Sequence, residues 1–183
     1  MNWLHTTFIL AAAYLAVFVE ASWNLPRAIL GAQIDVLPAL MVYTALTNDI
    51  WVIAALAIGG GLCFDAVSAN PLGISILPLF AIGFVIDGAR ELLLRESRHA
   101  QFMLGAAACA LQPLATLFLM LNLGSAPLLN WHTLWQWLVM IVGGALATPL
   151  LFAMFDKLHQ SFDYQPATQS SFRPDREIKR GRL

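Results

Sequence analysis

The chain has 183 residues, of which 59% are hydrophobic and only 11% charged, with a mean hydropathy of +0.70. An ordinary soluble domain carries about 25% charged residues, so this composition points to a bilayer rather than to water. Ten basic against eleven acidic side chains give a net charge of -1, which leaves no basic field for a nucleic acid.

The charges are clustered. Ten fall between Asp156 and Arg182, five more are Arg90, Glu91, Arg95, Glu96 and Arg98, and six serve the rest of the chain. Between them lie long apolar runs, and about 20 such residues are needed for a helix to cross a hydrocarbon core. In chain order, spans are expected at Leu4–Ala21, from near Ala32 to Leu46, and at Trp51–Val67, Leu72–Leu92, Phe102–Leu123 and Leu134–Phe155. The second is the shortest and carries Asp35 and Pro38, so a re-entrant or interfacial segment is its competing reading. The expected fold is therefore an all-α integral membrane protein with six transmembrane helices over residues 1–155. A basic, non-periodic tail follows over residues 156–183 and is expected to be solvated or to touch anionic lipid.

Lys and Arg accumulate in short cytoplasmic loops. With six spans, every basic residue but Arg27 falls on one face, which puts both termini in the cytoplasm. Trp3, Trp23, Trp51 and Trp131 stand at span ends, where amphipathic rings favour the headgroup layer. The first run has no basic n-region and is too long for a signal-peptide core, so it is expected to remain as a helix.

Four acids fall within or beside spans. Glu20 is expected at an interface, Asp35 at a helix start where the dipole favours its charge, and Asp87 in a salt bridge one turn from Arg90. Asp65 lies near a helix C-terminus, where the dipole opposes it, so it needs donors from the following turn or from Ser68 and Asn70. Asn70 followed by Pro71 reads as a helix start, with an amide cap and a proline at the first position. Gly59, Gly60, Gly61, Gly83, Gly88, Gly143 and Gly144 are expected to let helices approach closely. Pro78, Pro113 and Pro149 are expected to kink theirs.

Catalytic patterns are missing: the four histidines have no metal-ligand spacing, and there is no Walker loop, GxSxG elbow or paired-cysteine motif. Asp87-Gly88-Ala89-Arg90 shares part of the start of the CDP-alcohol phosphatidyltransferase signature, but its spacing is wrong and the downstream glycine and aspartates are missing. No enzyme, metal or cofactor is expected.

The run GGGLCFDAVSANPLGISILPLFAIGF, Gly59–Phe84, resembles the G-x-x-x-D…S-x-x-P-L-G stretch of the bacterial rod shape-determining protein MreD family. The matched positions are Gly61, Asp65, Ser68, Pro71 and Gly73, with Asn70 beside them. AQIDVLPALMVYTAL, Ala32–Leu46, is similar to that family's second segment, which more often places proline directly before its acid; here Asp35 comes first and Pro38 follows. The resemblance covers about Ala32–Leu94 and implies a non-enzymatic inner-membrane protein of the cell-wall elongation machinery. It implies binding to an MreC-like membrane protein and, through it, association with the MreB filament, RodA and the elongation transpeptidase. It also implies a fold like the substrate-binding S components of energy-coupling-factor transporters. The alternative function is thus capture of a vitamin-sized solute; an aromatic cage of Trp23, Trp131, Trp135 and Trp137 would favour it, although tryptophans at span ends are more commonly interfacial belt residues. Asp35, Pro38, Gly61, Asp65, Ser68, Asn70, Pro71, Gly73, Gly83 and Asp87 are the candidate partner-binding or structural positions.

Overall fold

The computed structural model describes residues 3–22, 25–68, 70–90, 97–124 and 130–162. Among them are seven helices and no strand: α1 (Trp3–Ser22), α2 (Leu25–Leu30), α3 (Leu37–Thr47), α4 (Ile50–Val67), α5 (Ile76–Ala89), α6 (Arg98–Asn122) and α7 (Trp131–Phe162). Ile50–Val67, Arg98–Asn122 and Trp131–Leu158 are long and apolar enough to cross a membrane, with mean hydropathies of 2.0, 1.8 and 2.2. The outward faces are oily as well: Trp51, Val85, Phe118, Trp131 and Leu150 are each more than half exposed. Soluble monomers rarely show contiguous apolar surface on this scale.

The centre of the bundle is α3. Ten of its eleven residues are buried. A helix with buried residues on all sides is packed all round by protein, and α3 meets α1, α4, α5, α6 and α7. Tyr43 anchors this core, stacked on Phe155 at 4.5 Å and edge-on to Phe152 at 5.0 Å. The helix of segment two is thus shorter than a full-length span and is enclosed by the other helices. It is an 11-residue buried rod entered by a non-helical stretch, 33–36, whose last residue, Val36, already has αR backbone angles. Pro38 sits in its first turn, where a missing N–H costs no helical bond.

The other helices turn one narrow stripe inward. Ile9, Ala13 and Val17 of α1 are buried at i, i+4 and i+8, while Tyr14, Leu15 and Phe18 face out. Gly83 lets α5 cross the core, since a Cβ there would stand 2.5 Å from Ile53 and 2.8 Å from Met41. The tightest seam is between α6 and α7. A Cβ on Gly144 would collide with the Cys109 thiol, and one on Gly105 would collide with Thr148 and lie 2.9 Å from the Gly144 carbonyl oxygen.

Three expectations are corrected. Helix α5 starts at Ile76 rather than at Pro71, because Gly73 has φ +90° and breaks the helical path. Pro78 thereby falls in the first turn of α5, where it need not kink the helix. Helix α7 continues through Asp156–Phe162, beyond the expected end of the bundle at 155. Glu91–Glu96, Ser125–Leu129 and Asp163–Leu183 lie outside the described residues, as does the placement of Trp23.

Candidate functional site

The segment linking α4 to α5 is built around one carboxylate. Asp65 is 2% exposed, and its Oδ2 accepts the backbone N–H of Gly73 at 2.8 Å and of Ser75 at 3.1 Å. The donors the dipole argument demands thus come from the turn itself. Ser68 caps the end of α4, and its hydroxyl donates to the Asp65 carbonyl oxygen at 3.4 Å. Pro71 is exposed, and its carbonyl oxygen accepts the Ile74 N–H at 3.3 Å. Gly61 completes the unit from below: a Cβ there would stand 3.1 Å from the Ile76 backbone. Gly61, Asp65, Ser68, Pro71 and Gly73 therefore belong to one small structure in which side chain, turn and helix end define one another.

Asp35 is a second buried carboxylate, also 2% exposed. Standing one residue before the cap Val36, it accepts at one oxygen the N–H of Leu37, the first residue of α3, at 2.8 Å, where the helix dipole favours its charge. The other accepts the Gln112 side-chain N–H of α6 at 3.0 Å. The non-helical stretch before it is tied to α7. Gln136 accepts the Gln33 backbone N–H at 3.0 Å and donates to the Gln33 carbonyl oxygen at 2.8 Å. Gln33 also donates to Glu20 at 2.8 Å, and Trp135 to the Leu30 carbonyl oxygen at 2.8 Å. Non-helical backbone at membrane depth is tolerable where protein satisfies it in this way. Replacing Gln136 with Leu removes two bonds worth about 1 kcal/mol each, so a loss of about 2 kcal/mol is expected in detergent unfolding.

These pieces frame a cavity of about 210 Å³. Asp35 and Gln112 line it, with Asn70 and Ser75 from the α4–α5 link, Thr116 from α6 and Trp137 from α7. Protein-family models, curated proteins and solved structures contain no match to this chain.

The remaining expected positions lie elsewhere. Gly83 packs in the core against α3 and α4. Asp87, near the opposite end of α5 from the Asp65 unit, pairs with Arg90 at 3.3 Å, as its spacing predicts. Of the three described tryptophans weighed as a cage or as belt residues, Trp137 lines the cavity, whereas Trp131 and Trp135 are exposed, with Trp135 committed to Leu30. Asn70 reaches the cavity rim instead of capping α5. Three residues were not singled out from the sequence: Gln112, Gln136 and Gly105. A glutamine inside an apolar run was the available signal for the first two. A small residue four positions before Cys109 was the signal for the third.

Proposed function

We propose that the chain is a non-enzymatic scaffold of the machinery that elongates the bacterial cell wall. In this reading it sits in the cytoplasmic membrane and binds an MreC-like partner, and through it the MreB filament, RodA and the elongation transpeptidase. The carrying observation is the Asp65 unit. The residues by which the sequence resembles the MreD family, Gly61 through Gly73, are those that build the hydrogen-bonded link between α4 and α5. Such a link presents a fixed outer rim and outward apolar faces to a partner helix, and it provides binding rather than turnover.

Six crossings, by α1 and α3–α7, are part of the proposal. Helix α3 has 11 residues, or about 16 Å of rise, roughly half of a 30 Å core. The three non-helical residues before Val36 add at most about 10 Å at 3.3 Å per residue, and in this reading helix and stretch together make the crossing. Both termini then face the cytoplasm. A Ser125→Cys variant should react with a membrane-impermeant thiol reagent from outside intact cells, and Ser170→Cys should not; the reverse pattern inverts the topology.

The functional test is copurification in detergent from cells carrying an MreC-like protein, together with depletion. Scaffold function requires recovery of that partner and conversion of rods to rounded, swollen cells. Recovery of an ATPase complex and tight binding of a vitamin-sized solute, with unchanged cell shape, would establish the transporter alternative instead.

A further inference from the structure

We propose that the cavity beneath the α4–α5 link is a binding site for a small primary amine with an apolar body. The argument starts from Gln112, which is 3% exposed and lines the cavity. Its amide nitrogen must face the Asp35 carboxylate, because the oxygen end would be repelled there. The amide oxygen is thereby turned away, buried and without a hydrogen-bond partner. An orphaned acceptor of this kind carries a cost of about 1–3 kcal/mol, which a donor in the cavity would recover.

The second observation is the charge of the lining. Asp35 accepts one hydrogen bond at each oxygen, and each can accept about one more. Among the described residues that line the cavity, none is basic. The site thus offers a buried negative charge with no cation, beside an amide oxygen that no protein donor satisfies. An ammonium group has three donors, no acceptor and the complementary charge. An anion would be repelled, and an alcohol would bring one donor and no charge.

Size and the remaining lining set the rest of the ligand. An apolar cavity of about 150 Å³ can hold benzene. The 210 Å³ here has room for such a ring and a short aminoalkyl arm, between Trp137, Met120, Met140 and Leu117. This site is independent of the scaffold reading, since copurification and cell shape do not report on it.

The test uses the full chain in non-ionic detergent at neutral pH, titrated with phenethylamine, phenethyl alcohol and hydrocinnamate, with thermal unfolding as the readout. Phenethylamine should bind about tenfold or more tightly than the alcohol, the difference expected of a charge-assisted bond, and hydrocinnamate should not shift the transition. Asp35→Asn should remove the preference for the amine. Should that variant not fold, Thr116→Phe decides, because it fills the cavity without touching the bonds of Asp35, and it should abolish the phenethylamine shift. Equal shifts from all three compounds, no shift from phenethylamine, or a shift that survives Thr116→Phe would overturn the proposal.

Discussion

Asp65→Ala should be the most damaging single substitution in the chain, lowering stability by about 3 kcal/mol through two charge-assisted bonds of at least about 1.5 kcal/mol each. Both donors are backbone N–H groups of the α4–α5 link, and Ser75, one of the two, is 1% exposed. Ser75 is buried, so water does not readily replace the carboxylate there, and its freed N–H would be left unsatisfied. Asp65→Asn keeps an acceptor in place while removing the charge, so it should cost about 1 kcal/mol. The ordering Ala, Asn, wild type in equilibrium unfolding from mixed micelles is the expected result. If Asn were as damaging as Ala, the charge rather than the acceptor geometry would hold the link. If neither variant lost stability, the link would not depend on Asp65. The same variants should loosen the rim that the proposed partner contacts, so partner recovery should fall most for Ala.

Gly105→Ala is the second large effect, and its sign is the informative part. In a helix interior, alanine is favoured over glycine by about 1 kcal/mol. At Gly105, however, the added methyl meets Thr148 and stands 2.9 Å from the Gly144 carbonyl oxygen. A backbone atom cannot rotate away as a side chain can. Overpacking of this kind costs about 1–3 kcal/mol, so set against that gain a net loss of up to about 2 kcal/mol is expected. Gly59 provides the control: nothing lies within 4 Å of its Cβ position, so Gly59→Ala should be neutral or stabilising. Unfolding of the two variants side by side checks both. Equal effects would mean that the α6–α7 seam is looser than its geometry indicates.

The long helices were legible because their apolar runs are bounded by charge or turn residues. Sequence places α4 at Trp51–Val67, and the structure at Ile50–Val67. The need of Asp65 for donors was equally legible, since a carboxylate at a helix C-terminus opposes the dipole. The start of α5 was not. Asn-Pro opens helices and turns alike, and the choice was made by Gly73, whose positive φ redirects the chain toward Asp65. Nor could the pairing of Asp35 with Gln112 be read, because 77 positions separate them and only packing of α3 against α6 brings them together. A buried amide away from water needs partners for the same reason a buried carboxylate does, which is why glutamines inside apolar runs carry a signal of their own.

The burial of α3 sets an order on biogenesis. When the ribosome has extended the chain only as far as α5, neither Gln112 nor Gln136 yet exists to receive Asp35 and the backbone of Gln33. A chain at that stage would hold the Asp35 carboxylate and the Gln33 peptide groups without the partners that α6 and α7 supply. The central rod can settle only after the last two helices have been delivered, so the bundle closes around its second segment from the C-terminal side.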